Sequence, residues 1–354
     1  MRNQDINVSM QTRPDWLKQA KITNFLAPAY HMHTWRKVSA HAKAPVALTI
    51  GNFDGVHLGH QAILSRLKDT ANRLGLPACV MTFEPHPREF FAPDQAPARL
   101  TSLREKLTCL IQLEIDCIHI CRFNYEFARI TPERFITHIL NQELHVRWLL
   151  VGDDFRFGAG RAGDTAMLQA LSVENNFTVE VMASVNIDDQ RVSSTAIRQA
   201  LANGNLEQAR ILLGRPYSIS GRVIDGDKLG KQLGFPTANI QLKHNRPPLS
   251  GIFVVSVYGA NPSSPTIPLP GVASLGVRPT IHENGKPVLE VHLFDFNNEI
   301  YGQHLQVDFL HKLRSEEKYA DINTLVHQIE KDVAQAKEFF MTTPVHFNSM
   351  CGAL

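Results

Sequence analysis

IGNFDGVHLGH, residues 50–60, holds a strand end, a tight loop and a helix start in one short stretch. The apolar run PVALTI (45–50) closes on Gly51. Gly51 and Gly55 allow a sharp loop, with Asn52, Phe53 and Asp54 between them. His57 and His60 fall in the first turn of the helix that follows. At i and i+3 the two imidazoles are neighbours on one helix face, about 5–6 Å apart. A helix start also offers unpaired N–H groups and the positive end of the dipole, and Gly59 leaves room for close approach. Together these features make a pocket for a polyphosphate, with two imidazoles to steady its charge. HxxH alone reads as a capped helix carrying two surface histidines. The strand and glycine loop before it turn the reading toward phosphate.

Outward from this stretch, strand and helix alternate. The helix of residues 57–74 stops at Gly75. PACVMTF (77–83) is a second strand, 101–114 a helix, CIHICRF (117–123) a third strand and 132–141 a helix opened by Thr131 and Pro132. WLLVG (148–152), a helix over 163–175 and FTVEVMAS (177–184) continue the pattern. Such alternation predicts an α/β doubly wound, mostly parallel sheet covered on both faces, with ligands bound beyond the carboxyl ends of the strands. Two short helices, 194–203 and 205–213, end at Gly214, Arg215 and Pro216. The character then changes to short, alternating, Gly- and Pro-punctuated runs: SISGRVI, GIFVVSVYG, PLPGVASLG and VLEVHLFDF. These predict a small β-barrel, closed by a helix over about 321–340 whose Leu325, Ile329, Val333 and Ala336 share a face.

The composition agrees with two globular parts. At about 150 residues per domain, 354 residues suggest roughly two. The 36 Lys+Arg against 34 Asp+Glu leave +2, which excludes a strongly basic nucleic-acid coat and an acidic solvating tail. The chain is 44% hydrophobic and 20% charged, enough to bury a core. No stretch reaches the ~18 apolar residues of a membrane span. The N-terminus lacks the apolar core of a secretory signal, so the expected location is the cytoplasm. The five cysteines form no CxxC pair. Cys117 and Cys121, about 13 Å apart on one strand at ~3.3 Å rise per residue, are too distant to share a disulfide or a metal. They read as buried free thiols. His31 and His33 read as an exposed pair, and His86 with Glu84 as part of a rigid loop that Pro85 and Pro87 fix.

The form G-x-F-D-G-x-H-x-G-H resembles the HxGH nucleotidyltransferase superfamily, and within it the adenylyltransferase half of bacterial bifunctional riboflavin kinase/FAD synthetases. TFEPHPREFF (82–91), VGDDFRFGAGRAGD (151–164) and VSSTAIR (192–198) are similar to three further family segments in matching order. In the last, Ser193, Ser194 and Thr195 are N-cap types and Arg198 projects from the first turn they open, which is a second phosphate clamp. The resemblance implies attack of the FMN phosphate on the α-phosphate of ATP, giving FAD and pyrophosphate. The nucleophile is already a phosphate, so the expected catalysts are His57, His60 and Arg198, with backbone N–H groups and Mg²⁺. Asn52 and Asp54 could orient phosphate or metal. Asp154 sits where the family faces the nucleotide, although Asp153 and Asp154 could equally cap their loop. The family places Pro85, His86 and Pro87 on the flavin side.

GRVIDGDKLGKQLGFPTANI (221–240) resembles the flavokinase segment of the same family. Gly226, Gly230 and Gly234 let backbone N–H groups approach phosphates, with Lys231 beside them. Thr237 and Asn239 offer neutral oxygens to a hard cation such as Mg²⁺, and two residues apart in an extended chain they point to one side. In VLEVHLFDF (288–296), Glu290, His292 and Phe294 share a face. The family's catalytic Glu lies in such a segment, which implies that Glu290 takes the proton of the ribityl hydroxyl attacking the γ-phosphate. GVRPT (276–280) and LRSEEKY (313–319) also fit the family, which implies flavin contacts from Arg278, Arg314 and Glu317. The sequence departs from the family at Lys231 (often Arg), Phe253 (often Tyr) and Ser274 (often Asn). The expected divisions are an unpatterned extension over 1–22, an FMN adenylyltransferase domain over 23–214, a riboflavin kinase domain over 215–342 and a tail over 343–354. The implied small molecules are ATP, riboflavin, FMN and FAD, with no nucleic-acid or membrane partner; the oligomeric state stays open, a monomer included. Competing readings are an HxGH transferase with another acceptor, against which GFPTAN argues, a class I tRNA synthetase fragment, which lacks a KMSKS-like stretch, and a non-catalytic flavin sensor, against which the intact site residues argue.

Overall fold

The computed structural model describes residues 44–226, 229–243, 246–277 and 287–343. The extension over 1–22, His31, His33, Arg278, Cys351 and all but the first residue of the tail lie outside the described residues. By their contacts the described residues form two compact units, one of 44–51, 66–85 and 115–181, the other of 52–65, 86–114 and 182–343.

In the first unit the strands β1 (Val46–Ile50), β2 (Ala78–Glu84), β3 (Cys117–Arg122), β4 (Val146–Gly152) and β5 (Thr178–Met182) form one sheet in the order β3-β2-β1-β4-β5. The pairs β1–β2, β1–β4 and β2–β3 run parallel. All five residues of β1 are buried, as a central parallel strand requires. Strand order reverses at β1, and its carboxyl end leads directly into the GNFDG loop, where doubly wound sheets bind ligands. The core gathers Leu48, Met81, Leu149 and Val151 with Phe135, Ile136, Ile139 and Leu140. The latter four lie on one helical stretch whose first turn, Pro132–Arg134, is α-helical and whose remainder, Phe135–Glu143, is π-type. Sequence periodicity predicted a plain helix there, because i→i+5 bonding leaves no distinct pattern in so short a run. The helix α1 (Leu58–Leu74) follows the GNFDG loop.

In the second unit a short antiparallel ribbon, β6 (Asn186–Ile187) and β7 (Gln190–Arg191), precedes a closed six-strand barrel. The barrel strands are β8 (Tyr217–Ile224), β9 (Ala238–Ile240), β10 (Gly251–Tyr258), β11 (Leu269–Val277), β12 (Pro287–Leu293) and β13 (His304–Arg314), all paired antiparallel in the order β10-β11-β12-β9-β8-β13. Closure removes the exposed strand edges that short β elements otherwise carry. Residues of β8 alternate buried and less buried, the period-2 signature of a barrel wall. Phe253, Phe309, Leu275, Leu289 and Val291 fill the core. Leu100, Val192, Ile197, Ala200, Leu201, Leu206 and Leu213 belong to the same core, although they precede Gly214 in sequence. Most of them come from the helices Ser194–Ala202 and Leu206–Leu213, whose apolar positions recur at helical spacing. Each fully buried Leu or Ile side chain contributes about 1.5–3 kcal/mol before entropy is counted. The final helix, Ile322–Thr342, packs Ala336, Val333 and Phe340 against Val254, Val272 and Phe294. Among the described residues no helix is long and apolar enough to cross a membrane.

Candidate active sites

The loop between β1 and α1 has a backbone few residues adopt. Phe53 (φ 48°), Gly55 (φ 84°) and Val56 (φ 41°) all take positive φ. For bulky or β-branched residues this costs on the order of 1–3 kcal/mol each and persists only where neighbours over-determine it. Here they do. A Cβ on Gly55 would meet Leu100 Cδ1 at 2.8 Å, and the Gly55 N–H donates to Thr101 Oγ1 at 3.0 Å. The Val56 carbonyl accepts from Gln61 Nε2 (2.9 Å) and Arg215 Nη1 (3.2 Å), and the Gly55 carbonyl from Arg215 Nη2 (2.7 Å). Asp54 is buried; it accepts from the N–H groups of Leu100 (3.1 Å) and Thr101 (3.0 Å) and pairs with Arg198 at 2.5 Å. Ser194 Oγ donates to the Asp54 carbonyl at 2.9 Å, and Arg198 Nε to the Ala98 carbonyl. Ser193 caps the helix Ser194–Ala202 by accepting from Ala196 N. The SSTAIR helix start is therefore fastened to the GNFDG loop, as two facing phosphate clamps would need. Thr195, in the same turn, is exposed.

His57 and His60 stack, with centroids 3.7 Å apart and planes 17° apart, and Phe53 lies 5.0 Å from the His60 ring. His57 Nδ1 accepts from the His60 N–H at 3.3 Å, so a neutral His57 carries its ring proton on Nε2. Burial pulls His57 down to about 4, with Asp54 opposing and Arg215, Arg198 and Arg191 adding to the fall. Burial, then His57, Lys106 and Arg215, hold His60 well below its ordinary value. Near neutral pH both rings are uncharged N–H donors. The His60 Nδ1 is buried without a hydrogen-bond partner, the kind of polar atom that functional sites retain. A Cβ on Gly59 would lie 3.2 Å from the His57 ring, so glycine there sets the ring's position. His86 caps the short helix α2 (Pro87–Phe91) by accepting from Arg88 N at 3.1 Å. EPHP is thus the entry to a helix, with Pro87 at its first position, where the sequence suggested only a rigid loop. Burial lowers His86 to about 4; Asp54 and Glu89 oppose, while Lys106 and Arg198 add. These charges bring His86 into the Asp54–Arg198 neighbourhood. Gly51, Pro85 and Asp154 belong to the first unit, where the Gly51 N–H donates to the Met81 carbonyl and Asp154 is exposed in the turn after β4.

The second constellation is built by strand register. On β9 and β12, Asn239 stands directly opposite Glu290, and on β11 Ser274 flanks Glu290 from the other side. Asn239 is buried, and a Cβ on Gly226 would overlap its side chain, with Asn239 Cγ at 2.5 Å. A Cβ on Gly230 would meet Thr237 Oγ1 at 3.2 Å. The glycine loop therefore closes onto both expected cation ligands. Gly230 and Lys231 lie in a single helical turn, Leu229–Gln232, and Gly234 follows at φ 87°. His292 Nδ1 lies 2.9 Å from the Pro236 carbonyl, and its ring packs edge-on against Phe235 and Phe294, which fixes the GFPTAN segment over β12. Arg314 pairs with the buried Asp332 (2.7 Å) and lies 5.7 Å from the Tyr319 ring. Glu317 is exposed, 3.5 Å from Tyr319 Oη.

A FAD synthetase family model matches residues 39–196, and a riboflavin kinase family model matches residues 213–340. A bifunctional riboflavin kinase/FMN adenylyltransferase of Escherichia coli (strain K12) is 47% identical over 296 residues, 84% of this chain and 93% of that protein. The chain belongs to the bifunctional riboflavin kinase/FMN adenylyltransferase family. A relative of the same description from Haemophilus influenzae is 50% identical over 83% of this chain and 94% of its own length. A crystal structure titled as a macrolide-efflux protein from Streptococcus pneumoniae shares the fold with a TM-score of 0.69 at 28% identity, covering 85% of this chain and 95% of that one. The enzyme thus has riboflavin kinase and FMN adenylyltransferase activities, and its small-molecule substrates are ATP, riboflavin and FMN.

Three residues of this bifunctional enzyme escaped the sequence reading. Arg215, 8% exposed, clamps two carbonyls of the adenylyltransferase loop. Lys106, 4% exposed, sits within electrostatic reach of His60 and His86. Glu105 closes a capping box with Ser102 and also accepts from Ser220 N (2.6 Å) and Oγ (3.0 Å) on β8. The capping box was legible as S-x-x-E at 102–105. The long-range partners of all three were not, because they arise only from tertiary packing.

Proposed function

We propose that the two activities use two catalytic sets that share no residue. Adenylyl transfer uses His57, His60 and Arg198, positioned by Asp54, Ser193 and Ser194. Phosphorylation of riboflavin uses Glu290, Thr237 and Asn239 with the glycine loop at 226–234. The observation that carries this reading is the register of Asn239 against Glu290, which sets a carboxylate beside the neutral oxygens without help from the histidine loop.

In adenylyl transfer the FMN phosphate attacks the α-phosphate of ATP and pyrophosphate leaves. No protein base is needed. Neutral His57, donating from Nε2, and His60 stabilise negative charge that develops on the transferring phosphoryl oxygens. Arg198 is held by Nε and Nη2, which leaves Nη1 to meet a phosphate oxygen. Lys106 adds positive charge behind the rings. We further propose that His86, with Pro85 and Pro87, faces the flavin, and that Asn52 and Asp154 contribute on the nucleotide side.

In the kinase reaction Glu290 accepts the proton of the ribityl hydroxyl as its oxygen attacks the γ-phosphate. Thr237 and Asn239 fit a hard cation in donor chemistry and in their closeness to the glycine loop. Mg²⁺ bound there would neutralise charge on the ATP phosphates. We propose Arg278 and Glu317 as flavin-side residues, and Arg314 as the residue that orders that side through Asp332 and Tyr319. Residues 23–214 and 215–342 are proposed as the chemical divisions, acting in the cytoplasm. The test is incubation of the purified protein with riboflavin, ATP and Mg²⁺, followed by chromatography. FMN should appear first and FAD after it. Flavin binding without turnover would sink the reading.

A further inference from the structure

The first unit carries a group of metal-ligand side chains that neither activity uses. Cys79 on β2 and Cys117 on β3 are direct partners across a parallel pair, so their side chains leave the same face side by side. His119 lies two residues along β3, on that same face. Cys117 Sγ and His119 Nε2 are 3.4 Å apart, and the three ligand atoms all lie within 4.8 Å of one another. In a tetrahedral zinc site, bonds of about 2.3 Å to sulfur and 2.0 Å to nitrogen set the ligand atoms about 3.5–3.8 Å apart. The arrangement therefore needs at most about an ångström of closure, which cysteine and histidine supply by small side-chain rotations.

We propose that Cys79, Cys117 and His119 form a binding site for a thiophilic d¹⁰ cation of the Zn²⁺ class, with its fourth position open to water. Two thiolates and one imidazole select such an ion over the hard Mg²⁺ that phosphate chemistry uses. Binding would displace the two thiol protons and leave Zn²⁺ with two thiolates, the imidazole and one water, a complex with no net charge. That neutrality matters, because Cys79 is fully buried and an uncompensated charge there is costly. Cys117 and His119 are half-buried, which gives an ion and a water a way in. Cys121, farther along β3, stands outside the cluster. Since β3 is the edge strand of the sheet, the bound ion would fasten that edge to β2.

The test uses Co²⁺ as probe on the reduced full-length chain carrying Cys351→Ser, which removes a thiol from outside the described residues. One equivalent should bind, with thiolate-to-cobalt charge-transfer absorption and tetrahedral d–d bands, and Zn²⁺ should displace it. Cys117→Ser and His119→Ala should each weaken binding at least tenfold, while Cys121→Ser should not. Zinc should raise the Tm of the parent and not that of Cys117→Ser. Absence of the thiolate–cobalt band in protein whose thiols titrate as free would overturn the proposal, as would a band that survives Cys117→Ser. Cys117, being half-buried, is the variant of choice should Cys79→Ser fail to fold.

Discussion

The histidine loop at 51–60 and the glycine corner at 226–239, both proposed to handle ATP phosphates, are made in different ways. The first is a local motif forced into strained backbone by buried long-range bonds: Arg215 and Gln61 on its carbonyls, Asp54 on Arg198, Thr101 on Gly55. In the second, strand pairing sets Asn239 against Glu290, and His292 holds the GFPTAN segment at the Pro236 carbonyl. Adenylyl transfer needs no protein base, so its residues must be rigid donors placed before substrate arrives. A kinase needs one base at one place, and Glu290, held by the register of a barrel strand, is the base proposed.

The sharpest way to break this comparison is to delete each catalytic set. His57→Ala with His60→Ala should reduce FAD formation from FMN by at least about 10³-fold, the scale of lost preorganised donors, while FMN formation from riboflavin stays near the parent rate. Glu290→Gln should lower FMN formation by about 10²–10⁴-fold, the range of a general base, and spare FAD formation when FMN is supplied. Separate assays of the two conversions decide it. Loss of both activities from either change in a folded protein would end the two-set scheme.

Next in size is the clamp. Arg215→Ala leaves two buried carbonyls of a strained loop without their cation-assisted bonds, each worth about 1.5–3 kcal/mol. FAD formation should fall about 10²-fold, mostly in kcat because Arg215 bonds the loop carbonyls from behind. Arg215→Lys should recover part of it, since one ammonium reaches one carbonyl more easily than two. An unchanged kcat would show that the loop holds its shape without the clamp. Asp54→Asn should act similarly on adenylyl transfer and also lower the urea midpoint, because it leaves Arg198, 17% exposed, without its ionic partner.

These residues also mark how far the sequence could be read. The histidine loop, the SSTAIR helix start, the flavokinase segment and the barrel itself were legible, because each is written in local spacing and alternation. Alternation put Glu290, His292 and Phe294 on one face, but only the barrel's pairing shows that Glu290 meets Asn239. Asp54 looked like a phosphate or metal ligand; in the fold its carboxylate binds Arg198 and two backbone N–H groups. Arg215 looked like punctuation at the end of a helix. Cys117 was compared with Cys121 along one strand, and its neighbour across the sheet, Cys79, could not be seen without the register.

The smallest expected effect separates the two regions by the sign of their response to pH. His57 has a folded value of about 4 against an ordinary 6.5, so below pH 6.5 the unfolded chain binds the extra proton. Its contribution to stability is present above pH 6.5 and is lost as pH falls toward 4, at about 1 kcal/mol per pH unit. In the barrel, Asp308 on β13 is buried beside Gln306 (2.8 Å), and burial pushes it up to about 7 from 3.8, against the pull of Gln306 and Arg215. There the folded chain holds the proton longer, so the contribution is present at low pH and is lost as pH rises from about 4 to 7, with similar slope and opposite sign. His60 and His86 are depressed along with His57, so the parent should lose stability toward acid, with Asp308 opposing part of that loss. Asp308→Asn should keep stability at pH 8 and steepen the acid-side loss in urea midpoints. His57→Gln should make the acid-side loss shallower. If both variants kept the parent's profile, the buried charges of the loop and the barrel would not be what sets the enzyme's response to pH.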